Sequence, residues 1–85
     1  MNKKMSFTNL DVQQAFIRSG GICECIKQTH NHITGRCSNQ VIWLNRGRYR
    51  AGAWEANHKN RVESGGHSGI SNLEILCWPC HRETF

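Results

Sequence analysis

The alternation of hydrophobic and polar positions predicts a helix at the start of the chain. Thr8 or Asn9 can cap a helix that runs to about Ser19, and the pair Gly20-Gly21 ends it. The apolar stripe of this helix consists of Leu10, Ala15, Phe16 and Ile17. A stripe this short indicates a helix that covers a core and carries no chemistry of its own.

The remaining apolar runs predict strands. Residues 41–44 form one short apolar run, and residues 53–57 and 73–76 read as the two strands of a hairpin with Trp54 as its inward anchor. The connection between them, residues 59–71, is polar and rich in glycine, which is typical of a loop. Trp78-Pro79 begins a final helix, because proline suits a first helical turn. The pattern therefore predicts a small α+β domain with an N-terminal helix.

Length and composition limit how such a domain can be stable. With 85 residues we expect a single domain over residues 8–85, preceded by a flexible basic arm over residues 1–7. Hydrophobic residues make up only 38% of the chain, so a metal or disulfides should support the core. No apolar run suits a signal peptide or a membrane span. We therefore expect an intracellular, cytoplasmic protein with no membrane partner.

Five cysteines offer that support. Cys77 and Cys80 form a C-x-x-C pair, which closes naturally on a tetrahedral zinc ion. Either Cys23 or Cys25 would complete a four-thiolate site with Cys37, and the sequence leaves that choice open. The alternative is a secreted disulfide framework, against which the odd cysteine count and the lack of a signal peptide argue. Structural zinc is the favoured interpretation.

Two histidines lie in the polar loop between these cysteines. His30 and His32 are expected to be exposed polar residues. The alternatives are that they bind a second ion or that one of them replaces a cysteine on the zinc.

Charge favours a polyanionic partner. Eleven Lys and Arg against six Asp and Glu give a net charge of +5, which suits nucleic acid. In an extended strand Arg46, Arg48 and Arg50 would share one face and could follow a phosphate backbone. The alternative is an ordinary solvated strand face.

The stretch from Trp54 to His81 carries the strongest motif. It reads WEANHKNRVESGGHSGISNLEILCWPCH, with His58, Asn72 and His81 at spaced positions and the last histidine closing C-W-P-C-H. It resembles the HNH endonucleases in residue type and spacing, and also in the glycine pair Gly65-Gly66 and the segment Ser71-Asn72-Leu73. The resemblance covers roughly residues 54–82. It implies that the active site is a ββα-metal finger, here within about residues 53–85.

The resemblance also implies roles for individual residues. His58 would be the general base that deprotonates water, Asn57 and His81 would hold one catalytic divalent cation (Mn²⁺, Mg²⁺, Ni²⁺ or Co²⁺), and Asn72 would orient His58. The cysteines would bind a separate structural Zn²⁺. The alternatives are that His58 is a structural histidine, that His81 is a fourth zinc ligand, and that Asn72 is a turn residue. His67 has no expected role.

One position departs from the family pattern. Residue 57 is Asn where the family usually has Asp, and an amide is a weaker ligand than a carboxylate for a hard cation. We therefore expect weak activity, a preference for Mn²⁺, Ni²⁺ or Co²⁺ over Mg²⁺, and a gain from Asn57→Asp.

The sequence as a whole predicts a metal-dependent nuclease that nicks double-stranded DNA as a monomer, with low sequence specificity and in a prokaryotic or phage-type setting. The residues expected to contact DNA are Lys59, Arg61, Arg46, Arg48, Arg50 and Arg82. The alternative function is a non-catalytic zinc-binding module that binds nucleic acid. A third possibility is a zinc knuckle for protein interaction, which would have no affinity for DNA at physiological salt.

Overall fold

Two helices and a two-stranded hairpin make up the regular structure of the described residues. A computed structural model describes residues 7–27, 35–59 and 69–84. Its elements are α1 (Asn9–Ser19), β1 (Trp54–His58), β2 (Leu73–Cys77) and α2 (Trp78–Arg82), with 3₁₀ turns at Trp43–Asn45 and Ile70–Asn72. The predicted α+β class is confirmed. Within these described ranges, no helix combines the length and the hydropathy that crossing a membrane would require.

Helix α1 begins and ends where the sequence predicts. The Thr8 side chain accepts a hydrogen bond from the Asp11 N–H at 3.1 Å, and Gly20 ends the helix with a φ of 69°, in the left-handed region that glycine tolerates best. Its buried face differs from the predicted stripe. The fully buried positions are Val12, Ala15 and Ser19, whereas Leu10 and Ile17 are 60% and 78% exposed. Spacings of three and four residues set which side chains face the core.

The hairpin follows the predicted pattern, with each strand displaced or extended by one residue. Strands β1 and β2 are antiparallel, and Trp54 pairs with Cys77, Asn57 with Glu74, and His58 with Leu73. Because side chains alternate between faces, Trp54 and His58 lie on one face of the hairpin. Asn57 and Glu74 lie on the other.

The predicted strand over residues 41–44 is wrong. After Val41 the chain turns through Trp43–Asn45, and Gly47 adopts a φ of 72°. The Asn45 N–H bonds back to the Ile42 carbonyl at 2.8 Å, so the backbone closes locally and pairs with no strand over this run. The same carbonyl also accepts the indole N–H of Trp54 at 2.8 Å. Arg46, Arg48 and Arg50 consequently do not form the row on an extended strand that the sequence suggested.

The core is centred on Trp54, which is 1% exposed. Its ring lies 5.1 Å from Phe16 and 5.6 Å from Trp43, centre to centre. The other large and fully buried side chains are Leu73, Ile75, Leu76, Val12, Cys23 and Cys80. Burial of aromatic and branched side chains at this scale is the main apolar contribution to stability.

Polar contacts fasten β2 to the first third of the chain. The Arg18 guanidinium bonds both carboxylate oxygens of Glu24 and also the Leu73 carbonyl, the last at 2.8 Å. Glu24 in turn accepts the Ile75 N–H at 2.9 Å and donates its own N–H to the Ile75 carbonyl at 2.7 Å. The segment that carries Cys23 is therefore held beside the strand that leads to Cys77.

Candidate metal centre and active site

Four cysteine side chains converge in the interior. The sulfur atoms of Cys23, Cys37, Cys77 and Cys80 all lie within 4.8 Å of one another, and all four residues are buried. Cys37 Sγ is 4.0 Å from Cys77 Sγ. A tetrahedral zinc site with Zn–S bonds of ~2.3 Å requires sulfurs about 3.8 Å apart, so the spacing and the donor type both fit Zn²⁺. None of the five cysteines forms a disulfide bond, which overturns the disulfide alternative.

Hydrogen bonds around the cluster favour thiolate at Cys77. The Cys23 thiol and the Asn39 amide, the latter at 3.3 Å, both donate to Cys77 and lower the pKa of Cys77 to about 4. The same contact with Cys77, together with burial, raises the pKa of Cys23. Burial and the neighbouring Cys77 raise that of Cys80. Sulfurs this close cannot all carry charge without a cation, and a bound zinc ion would hold them as thiolates.

Cys23, not Cys25, is the member of this group. Cys23 Sγ accepts the backbone N–H of Cys77 at 3.2 Å, a contact typical of metal-binding sulfurs. Cys25 is also buried, but its sulfur falls outside the four-member group. From their spacing alone, Cys23 and Cys25 were expected to point to the same side of one strand. The segment forms no regular strand, and its backbone pairing with Asn39 and Cys37 decides which sulfur turns inward.

His58 is the last residue of β1 and is partly buried. The ring of Phe7 stacks on it, with centroids 4.2 Å apart and planes 27° from parallel. Phe7 also packs on the core cluster. Sequence reasoning missed this contact because Phe7 was grouped with the N-terminal arm. An aromatic residue directly before a helix cap was the available signal.

Asn57 directs its amide nitrogen at two acceptors. Nδ2 donates to Glu74 Oε2 at 3.0 Å and to the His58 carbonyl at 3.0 Å. Because both partners are oxygens without protons to give, they identify this atom as the nitrogen. The amide oxygen of Asn57 is therefore the atom that would bind a cation. Glu74 was not among the predicted site residues.

Asn72 is buried at the end of the hairpin where His58 pairs with Leu73. Its backbone N–H donates to the Gly69 carbonyl at 2.9 Å, and its carbonyl accepts the Lys59 N–H at 2.8 Å. It thus closes the described ends of the loop between β1 and β2.

His81 lies on α2, which packs against both strands. The Trp78 N–H at the start of α2 bonds the Ala53 carbonyl at 3.0 Å, and Cys80 belongs to the sulfur cluster. Within the three described ranges, the four cysteines are the only set of three or more His, Cys, Asp or Glu residues whose ligand atoms lie close enough together to hold a metal ion. The amide oxygen of Asn57, the carboxylate of Glu74 and the imidazole of His81 nevertheless have the donor chemistry for a divalent cation such as Mn²⁺.

The predicted DNA-contacting cations differ in their surroundings. Arg46 is paired with Glu55 and lies 5.4 Å over the Trp54 ring, and Arg48 donates to the Leu44 carbonyl. Arg50, Lys59 and Arg82 are exposed. Arg61 falls outside the described residues, as do His30, His32 and His67.

Sequence reasoning also missed a shallow groove beside the hairpin. Its cationic lining comes from Arg18, Lys27, Arg36 and Lys59, and its acidic lining from Glu24 and Glu74. Arg36 donates hydrogen bonds to backbone carbonyls and forms no ion pair with a carboxylate in the described residues. The groove therefore brings net positive charge beside Glu74, which shares a face of the hairpin with Asn57.

The comparisons with known proteins agree with this geometry. The family model for HNH endonucleases matches residues 35–84, which is more than half of the chain and includes the hairpin, α2 and three of the four clustered cysteines. No curated protein and no solved structure gives a match. With a zinc-type cysteine cluster fastening a ββα unit that carries His58, Asn72 and His81, the chain belongs to the HNH endonuclease family.

Proposed function

We propose that the protein is a metal-dependent endonuclease that hydrolyses DNA phosphodiester bonds. Membership of the HNH family indicates a nuclease or nucleic-acid-binding role. The observation that carries the finer proposal is the docking of α2, with His81, on a hairpin whose first strand ends at His58. The buried cysteine cluster would fix that docking once zinc is bound.

In this mechanism His58, in its neutral form, takes a proton from the attacking water. Asn57 and His81 would hold the divalent cation, which when bound would supply charge neutralisation at the phosphate and at the departing 3′ oxygen. Asn72 holds the end of the loop that follows His58, through its backbone bonds to Gly69 and Lys59, and thereby orients His58. The products are a 5′ phosphate and a 3′ hydroxyl. One base and one cation site cut one strand per encounter, so a monomer nicks double-stranded DNA.

The cationic groove gives the substrate a path to these residues. Lys27, Arg36 and Lys59 line it, and Lys59 directly follows His58. Cations that contact phosphates position a duplex without reading its bases, which is the reason to propose low sequence specificity. Arg46 contributes less to this path, because Glu55 already neutralises it.

The test is nicking of supercoiled plasmid with Mn²⁺ or Mg²⁺ by the zinc-loaded protein. We expect nicking by the wild type and a loss of roughly 10²-fold or more in His58→Ala, since a positioned base contributes at least that much. His67→Ala is the matched control that removes a histidine with no assigned role, and it should nick like the wild type. Equal nicking by wild type and His58→Ala would remove His58 from the mechanism.

A second candidate is a non-catalytic zinc-binding module that binds nucleic acid. The neutral side chain at position 57 favours it, because Asn57 brings no charge to a cation site. DNA binding in the presence of Mn²⁺, Mg²⁺, Ni²⁺ or Co²⁺ without any nicking would support this candidate and overturn the nuclease.

A further inference from the structure

Asn57 and Glu74 form a matched pair across the hairpin. They are directly opposite in the antiparallel register, so their side chains share one face. Asn57 Nδ2 donates to Glu74 Oε2 at 3.0 Å, and the His58 carbonyl accepts from the same nitrogen. These two acceptors fix the amide, with its oxygen turned away from both of them.

The carboxylate of Glu74 has no ion-pair partner in the described part of the chain. The ion pairs there are Arg18–Glu24 and Arg46–Glu55. Glu74 is partly buried beside Leu76, Cys80 and the end of α2, and Arg18 is near enough to interact with its charge without forming an ion pair. Asn57 occupies only one of its two oxygens. A cation bound beside the pair would stabilise this arrangement.

We propose that Glu74 is a ligand of the catalytic divalent cation and supplies the negative charge that Asn57 lacks. The inference rests on the proposed function and deepens it. The carboxylate acts from β2 across the strand pair, and its hydrogen bond with Nδ2 fixes the orientation of the Asn57 amide, whose oxygen is the other proposed ligand. The site thereby combines a carboxylate from β2 with an amide from β1. In a site with Asp at position 57, the carboxylate would come from β1 instead.

The exchange has a consequence for Asn57→Asp. That variant places two carboxylates in direct contact, and like charges at this distance oppose each other until a cation separates them. Without a divalent cation the variant should melt below the wild type, and with Mn²⁺ the order should reverse. The double variant Asn57→Asp/Glu74→Gln restores one carboxylate and one amide on opposite strands.

The experiment is a titration of the zinc-loaded protein with Mn²⁺, followed by the electron paramagnetic resonance signal of the free ion. Glu74→Gln keeps the size and the acceptor for Asn57 and removes only the charge. We expect it to weaken Mn²⁺ binding roughly 10- to 100-fold. Asp11→Asn, which removes the same charge from the first turn of α1, should bind like the wild type. The double variant should recover most of the affinity.

The outcomes separate this inference from the proposed function. If the wild type nicks plasmid but Glu74→Gln binds Mn²⁺ as tightly as the wild type does, Glu74 is only a cross-strand hydrogen-bond acceptor and the nuclease stands. If the double variant fails to recover binding while Asp11→Asn is normal, the exchange of roles is wrong. If the wild type neither binds Mn²⁺ nor nicks, the inference and the proposed function both fail.

Discussion

His58 and Phe7 illustrate what one contact adds to a side chain that is proposed to be catalytic. A histidine at the end of a strand has two free side-chain torsions, and a general base works only when its reacting nitrogen is held close to the water. The stacked ring of Phe7, 4.2 Å away, limits those torsions from one face. In the proposed mechanism Phe7 is thus a positioning residue, although it touches neither substrate nor cation.

Replacing Phe7 tests that role. Phe7→Ala should slow nicking about fivefold, because an aromatic pair of this kind contributes on the order of 1 kcal/mol. The direct readout is proton NMR. Loss of the stacked ring should move the ring-proton signals of His58 downfield, by removing the ring current.

The control for that variant is Phe7→Tyr, which keeps an aromatic ring and should keep both the signal positions and the rate. His58 signals that are identical in Phe7→Ala and the wild type would show that the rings do not stack in solution. A slower rate with unchanged signals would make Phe7 merely part of the fold.

At the scale of elements, β2 depends on its ties to the segment after α1. Partial burial alone would raise the pKa of Glu24, but the hydrogen bonds from Arg18 and from the Ile75 N–H outweigh it. The pKa of Glu24 is therefore held below its ordinary value of 4.5. A lowered folded-state pKa means that the ionised carboxylate stabilises the fold above about pH 4.5, and that this contribution disappears as the pH falls through the lower folded value.

Glu24→Gln should show this dependence. At pH 7 we expect the free energy of unfolding to fall by about 1–2 kcal/mol, since Gln accepts fewer hydrogen bonds and Arg18 is partly solvated. The difference from the wild type should shrink as the pH is lowered from 5 towards 3. Urea unfolding at several pH values measures it.

Loss of zinc at acid pH affects both proteins, so the difference between them is the quantity to compare. Glu83→Gln is the control, and its difference from the wild type should stay near zero across the same range. A Glu24→Gln difference that is constant with pH would mean that the charge of Glu24 does not stabilise β2.

At the scale of the whole molecule, zinc bound at the four-cysteine cluster would compensate for a small core. A domain of 85 residues has little apolar surface to bury, and α2 is only five residues long. Cys77 and Cys80 flank the start of α2, while Cys23 and Cys37 come from distant parts of the chain. One ion on these four sulfurs would join α2, the hairpin and both earlier segments.

Metal removal should therefore unfold the protein. Treatment with a strong chelator at neutral pH should abolish the cooperative thermal transition, because structural zinc contributes on the order of 10 kcal/mol in small domains. Circular dichroism follows the transition, and readdition of Zn²⁺ should restore it.

Two cysteine variants refine this test. Cys23→Ser should reduce the zinc content and the stability, whereas Cys25→Ser should retain one zinc ion per chain. Zinc content can be measured by atomic absorption. Equal zinc loss in both variants would contradict the choice of Cys23 as the ligand.

The sequence by itself determined the features that depend on neighbouring residues. The Thr8 cap and Gly20 set the limits of α1, Pro79 marked the start of α2, and the motif around His58 predicted the hairpin and the family. Each of these signals acts within a few residues or within one supersecondary unit, so it can be read from spacing alone.

Tertiary structure decided the contacts between residues that lie far apart in the sequence. It chose Cys23 over Cys25, because backbone pairing with residues 37–39 orients that segment. It also turned residues 41–50 into a compact loop, because the indole of Trp54 and local bonds take up the carbonyl of Ile42. The pairing of Glu74 with Asn57 and of Phe7 with His58 likewise follows from register and packing. Such contacts leave no fixed spacing in a sequence, since their energy comes from groups that only folding brings together.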